Sequence, residues 1–274
     1  RIYPDTDVTY KIDNDRNLCA EVKGVILLIR PDLKLAILHY QPEAIVLAEK
    51  LARLAVAEIL RYEGFYLIHA GAVEFKGGAV LICASPGMGK STLTSAWASL
   101  GGARFIADDQ CIIFRRAGVL WTGGMGNNLA LSLQSQEILA GLGLRIPYAD
   151  NQVDEKSLYN CEKFFVQIIH EPYPVKALIF LVDGFDHSNS ICVCQPELAG
   201  RLLLQSSFYI GESQIIRDHF QTVLDLVAQC SAYLVPNKMD FQHFCSEVEG
   251  MLPKNPYHEI PLHPCNHHRS PSMS

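Results

Sequence analysis

A chain of 274 residues, 49% hydrophobic and 19% charged, is long enough to bury a sizeable core, and this balance excludes a disordered polymer. The net charge of −6, with Lys and Arg scattered singly, leaves no basic stripe to neutralise a phosphate backbone, so nucleic acid is excluded as the main partner. No apolar run reaches the length of a membrane span and no signal-peptide pattern follows Arg1; a cytoplasmic protein without a membrane partner is expected, its native start lying upstream of Arg1.

Residues 1–41 read as β-rich. Val25–Ile29 and Leu33–Leu38 flank the turn Arg30-Pro31-Asp32, which predicts a hairpin. From 43 to 62, Ile45, Leu47, Ala48, Leu51, Leu54, Ala55 and Ile59 recur at helical spacing, giving one broad apolar face to pack on a sheet. Residues 1–62 are therefore expected to form a small β-rich N-terminal unit with its helix. The main unit, 63–252, opens on Phe65–Ile68 and His69–Val73, expected as two strands of a hairpin. After the turn Lys76-Gly77-Gly78 they feed the apolar strand Ala79–Cys83.

That strand runs into Ala84-Ser85-Pro86-Gly87-Met88-Gly89-Lys90-Ser91, a Walker A phosphate loop with Ala at its first glycine position. Thr92 to Ala98 continue at helical spacing, completing the strand–loop–helix context the motif needs. Such a loop aims backbone N–H groups and a helix N-terminus at one polyphosphate. Ser85, Pro86, Gly87, Met88, Gly89, Lys90, Ser91 and Thr92 are the candidate nucleotide-binding residues, with Lys90 as the phosphate cation and Ser91 as a Mg²⁺ ligand.

Arg104–Ala107 predicts a short strand that ends at Asp108-Asp109. Ligands of open α/β sheets sit beyond the carboxyl ends of strands, so both acids should emerge beside the phosphates. One acid suffices to hold Mg²⁺; the second is either a base for an attacking hydroxyl or a solvated turn residue. His69, at a strand end on the same side, reads equally as a structural histidine or a functional one.

Downstream, a hairpin is expected around Arg115-Arg116-Ala117-Gly118 and a helix from Ser132 to Leu142. Residues 143–172 are polar and irregular, suited to an acceptor-binding loop or lid, with Lys156 and Lys163 either reaching phosphates or simply solvated. Ala177–Val182 is a buried strand, Ala232–Val235 a short one, and Leu198–Ser206, Glu212–Cys230 and Phe241–Met251 are helices. Arg201 and Arg217 are weaker candidates for stabilising charge. The nine cysteines form no C-x-x-C pair and are expected as free thiols, Cys192 and Cys194 facing one side of a strand. The tail 253–274 carries His258, His263, Cys265, His267 and His268 interleaved with prolines, which predicts disorder rather than a metal site.

The string H-A-G-A-V-E-F-K-G-G-A-V-L-I-C-A-S-P-G-M-G-K-S-T-L, followed by A-R-F-I-A-D-D, resembles the HPr kinase/phosphorylase superfamily, relatives of phosphoenolpyruvate carboxykinase. Within it the string is most similar to the HPr-kinase-like lasso-peptide serine kinases. The resemblance covers residues 65–114 strongly and extends through Tyr173–Val182. It implies an α/β P-loop nucleotide-binding core of the HPr kinase type, a mixed sheet with flanking helices. It further implies an ATP- and Mg²⁺-dependent serine kinase acting on a peptide or protein that carries the acceptor Ser, such as a lasso-peptide precursor, and a homo-oligomer by analogy. Its matching positions give Asp109 as proton acceptor, Asp108 and Ser91 at the metal, and Lys90 and His69 as active-site residues. The chain departs from the family at Gly123–Leu129, where a metal-binding Glu is expected, and in lacking the basic loop that engages HPr. A small-molecule kinase or carboxykinase-like enzyme, and a non-catalytic nucleotide sensor, are the alternative readings.

Overall fold

The computed structural model describes residues 9–13, 17–126, 128–153, 155–183, 190–207 and 212–252; the expected disordered tail and Asn127 lie outside the described residues. Four antiparallel strands come first, β1 (Thr9–Ile12), β2 (Leu18–Val22), β3 (Val25–Arg30) and β4 (Leu35–Tyr40), paired in that order. The expected hairpin is β3–β4, turned by a 3-10 segment that starts on Pro31. Alternation places Leu18, Ala20, Val22, Val25, Leu27 and Ile29 on one face, and α1 (Ile45–Tyr62) covers them with Ala48, Leu51 and Ala55.

The chain continues through β5 (Tyr66–Ile68), β6 (Gly71–Phe75), β7 (Gly78–Ala84), α2 (Lys90–Leu100), β8 (Arg104–Ala107), β9 (Cys111–Arg116) and β10 (Val119–Gly124). Next come β11 (Asn128–Ser132), α3 (Leu133–Gly141), β12 (Asn151–Val153), β13 (Lys156–Asn160) and α4 (Cys161–Phe164). The last part holds β14 (Tyr173–Val182), β15 (Cys192–Val193), α5 (Pro196–Gln205), α6 (Ser213–Gln229), β16 (Ser231–Pro236) and α7 (Phe241–Met251).

A nine-stranded mixed sheet organises the molecule, with the path β5-β9-β10-β14-β7-β6-β8 and with β16 and β15 branching from β14. Strand β14 changes partner along its length: Tyr173 and Pro174 pair with β10, whereas Ala177–Val182 run parallel to β16. On its other edge β14 is parallel to β7. The period of two splits each central strand between two cores. Leu81, Cys83, Leu178 and Phe180 face the side that holds Leu203 of α5 and Val223 and Leu226 of α6. Val80, Ile82, Ile179 and Leu181 face Trp97 of α2 and Phe244 and Val248 of α7.

Two expectations are corrected. Strand β5 pairs with β9 rather than with β6. The hairpin is β6–β7, because Lys76 and Gly77 both adopt the positive φ (52° and 81°) that a tight two-residue turn requires, and neither His69 nor Ala70 does. The segment 143–172 is not an irregular lid either. It contributes β12, β13 and α4, and a three-stranded sheet β11-β13-β12 packs Leu129, Leu131 and Tyr159 against Ala96 of α2 and Phe105 of β8. Its pattern hides this because Tyr159 is the one buried side chain of β13.

Candidate active site

Strand β6 is antiparallel to both β7 and β8, so those two run the same way and end at the same edge of the sheet. The loop after Ala84, the acid pair after Ala107 and His69 just before β6 are thereby brought together. In the loop, Met88 N donates to Ser85 O at 3.2 Å and Leu93 N to Gly89 O at 2.8 Å. Gly87 and Gly89 have φ of 81° and 90°, and a Cβ on either would meet nothing within 4 Å. Backbone conformation, not space, requires glycine there. Gly89 stands at the N-cap of helix α2 and offers no side-chain cap, which leaves the first-turn N–H groups for an anion. Ser85, Pro86 and Gly87 are exposed, and Met88 tucks against the core beneath.

Lys90 is buried and its Nζ donates to Asp109 Oδ1 at 2.7 Å, with Asp108 Oδ1 at 3.8 Å. His69 Nδ1 lies 3.3 Å from the same Asp109 oxygen. His69 is held by its backbone N–H, which donates to Ser206 O at 2.7 Å. Beside it, Gly71 permits β6 to pass under α2, since a Cβ at that position would sit 2.2 Å from Thr94 Oγ1. Asp109 itself has φ of 73°, in the left-handed region that non-glycine residues seldom occupy. That backbone turn directs the Asp108 carboxylate inward and leaves the Asp109 carboxylate half exposed at the rim, 1% against 54%.

Burial resists the charge on Lys90, but the two carboxylates outweigh it and hold its pKa above the ordinary lysine value. Burial raises the Asp108 carboxyl above the usual range, with Lys90 opposing. At Asp109 burial also pulls upward, yet Lys90 and then His69 outweigh it, so this carboxyl lies below the usual range. Burial first, then Lys90, push His69 below the ordinary histidine value, so its imidazole is neutral at pH 7. The buried thiols next to the cluster are inert: burial pushes Cys83 up to about 12 and raises Cys111 as well.

The donor set has the chemistry for a divalent cation. Asp108 Oδ1 is buried with no hydrogen-bond partner, and the Ser91 hydroxyl, after Lys90, opposes the rise that burial imposes on the Asp108 carboxyl. Two hard oxygen donors in that position fit Mg²⁺, which completes its shell with phosphate oxygens and water. Among the described residues no group of three His, Cys, Asp or Glu side chains converges on a metal position.

The other candidates divide. The Thr92 hydroxyl, expected at the nucleotide, donates instead to Ser135 Oγ of α3 at 2.9 Å; that partner, 43 positions away, left no signal in the sequence. Lys163 pairs with Asp150, away from the cluster. Lys156, in contrast, contributes its charge at both Asp108 and Asp109. Arg201 and Arg217 are exposed on α5 and α6 and form no ion pair with the site carboxylates. The cysteines of the described residues are free.

The chain matches no protein-family model and no curated protein sequence. Among solved structures it is similar to the Hpr(Ser) kinase/phosphatase from Coxiella burnetii, with a TM-score of 0.42 and 13% identity over 68% of this chain and 89% of that chain. A likeness that distant transfers no activity and no residue role. No helix of the described residues is long and apolar enough to cross a membrane.

Proposed function

We propose that this chain is an ATP- and Mg²⁺-dependent phosphotransferase with a P-loop core of the HPr kinase type, and that it phosphorylates a Ser or Thr hydroxyl of a peptide or protein. The observation that carries the reading is one oxygen, Asp109 Oδ1, held between Lys90 Nζ at 2.7 Å and His69 Nδ1 at 3.3 Å at the mouth of an uncapped helix. The loop amides and Lys90 bind the phosphate chain. Asp108 and Ser91 hold Mg²⁺, which supplies charge neutralisation on the phosphates.

Asp109 is ionised at neutral pH and accessible, as a base for an incoming hydroxyl must be. In the transfer the acceptor oxygen forms its bond to the terminal phosphorus as the bond to the leaving diphosphate breaks, and the hydroxyl proton passes to Asp109. Neutral His69 donates a hydrogen bond at the same point and orients either the carboxylate or a phosphoryl oxygen. A catalytic role, rather than storage of nucleotide, is supported by the backbone strain that sets the two acids in different surroundings.

Mass spectrometry of Ser-containing peptides, including some with a C-terminal Ser, after incubation with ATP and Mg²⁺ tests this. A gain of one phosphate is expected, slowed about a hundredfold or more in Asp109→Asn with nucleotide binding retained. Unchanged transfer by that variant would remove the assignment of the base. ATP bound with no hydroxyl of any peptide or small molecule modified would favour a nucleotide sensor instead.

A further inference from the structure

Strand β14 is parallel to β7 on one side and to β16 on the other, and the register sets Ala84, Leu181 and Val235 in one row. The phosphate loop after Ala84 and the segment Asn237-Lys238-Met239-Asp240 after β16 therefore leave the sheet at the same level, two strand spacings or about 10 Å apart. The acid pair stands on the opposite flank, since β6 and β8 lie on the far side of β7 from β14. A terminal phosphoryl aimed at Asp109 sends the rest of the nucleotide the other way, across the end of β14 to this segment. The segment is fixed: Asn237 N donates to Val182 O and Met239 N to Pro236 O, both at 3.0 Å, and Met239 and Phe241 pack against the core that holds Trp97 and Phe244. The Asn237 amide touches the loop itself, its Nδ2 lying 3.7 Å from Met88 Sδ, while its Oδ1 accepts from no described residue. Asp240 is exposed and caps α7 with one oxygen only. Its Oδ1 accepts from Gln242 N at 2.9 Å and His243 N at 3.0 Å, and its Oδ2 accepts from no described residue.

The two purines differ on the edge such a pair of side chains reads. Guanine carries two adjacent donors, N1–H and the 2-amino group, whereas adenine carries an acceptor at N1 and no donor at position 2. A carboxylate only accepts, so it bonds the guanine donors and repels the adenine N1 lone pair. An Asn amide has a donor for N7 of either purine and by itself does not choose between them. We propose that Asn237 and Asp240 form the base-reading corner of this site, and that a guanine nucleotide is the preferred phosphoryl donor, with ATP the weaker one. Asp240 sets the preference and Asn237 supplies a bond common to both purines. This rests on the phosphotransferase reading above, whose loop and acids it keeps.

Asparagine caps helices as well as aspartate does, so Asp240→Asn exchanges the carboxylate for an amide without removing the cap of α7. Mg²⁺ complexes of GDP, ADP, IDP and XDP are titrated calorimetrically into wild type, Asp240→Asn, Asn237→Ala and Lys90→Ala. Wild type should bind GDP about tenfold or more tighter than ADP, with IDP, which lacks the 2-amino group, in between. Asp240→Asn should lose about tenfold for GDP and gain for XDP, whose 2-oxo group accepts from the new amide, at an unchanged melting temperature. A merely structural cap would move neither affinity. Asn237→Ala should weaken all four alike, since all share N7. ADP bound as tightly as GDP by wild type, or no change of preference in Asp240→Asn, overturns the proposal. In that case loss of every nucleotide in Lys90→Ala leaves the phosphate loop standing. A wild-type protein that binds no nucleotide removes both the base corner and the loop assignment.

Discussion

The two ends of the β6–β7–β8 strands both carry charged side chains and treat them differently. At the end away from the loop, Glu74 accepts from Arg104 Nε at 2.7 Å and from Gly77 N at 2.6 Å, Arg104 reaches Tyr173 Oη at 3.1 Å, and Lys76 pairs with Glu249 at 2.7 Å. Lys176, pushed down to about 8 by burial, is the least comfortable charge there, and its amine still donates to the Phe75 carbonyl. At the loop end one cation faces two acids, a buried carboxylate oxygen is left without a donor, and Asp109 holds a left-handed backbone. Satisfied pairs at one end stabilise the fold. Unsatisfied groups at the other are what a phosphate and a cation would complete.

Substitutions can break this contrast. The largest effect is expected from Asp108→Asn, which should lower Mg²⁺-dependent transfer about a hundredfold while leaving the melting temperature of the ligand-free protein unchanged or higher, because a costly buried charge is removed. A kinetic assay over a Mg²⁺ series beside a thermal melt reads both; a lower melting temperature with normal transfer would reverse the roles given to the two ends. Glu74→Ala should do the opposite, losing about 1–3 kcal/mol of stability with transfer per folded molecule unaltered, as judged by denaturant unfolding.

The smallest effect is in the pH dependence of stability. The folded pKa of Asp109 is depressed, so its contribution is present above the unfolded pKa and is lost as pH falls through the folded value. Asp108 is raised, so its cost appears as pH climbs from the unfolded value through the folded one. Melts between about pH 4 and 8 should therefore show Asp109→Asn softening the acid decline and Asp108→Asn raising stability more at neutral than at acid pH. Identical pH profiles for the two variants would contradict their separate surroundings.

Much of the site is legible in the sequence because its residues are close together there. Gly87, Gly89, Lys90 and Ser91 carry the pattern of a phosphate loop, backbone freedom and charge at fixed offsets, and Asp108-Asp109 follows the next strand. The helix at 45–62 and the strands Ala79–Cys83 and Ala177–Val182 announce themselves by period and apolar run. Pairing is what the sequence hides. A strand's partners depend on which edges are free, so proximity points β5 to β6 when its partner is β9, far along the chain. The short strand β13 buries one side chain, too few to leave a pattern.

Local chemistry in the chain thus settled the loop, the acid pair and the alternation of strands and helices, since glycine, charge and hydrophobic period act over a few residues. Tertiary packing decided which of two adjacent acids is buried and which is exposed, turned Thr92 toward Ser135, and separated Lys156 from Lys163. Those outcomes depend on burial and on partners brought from distant positions, and no window of sequence contains both halves of such a contact.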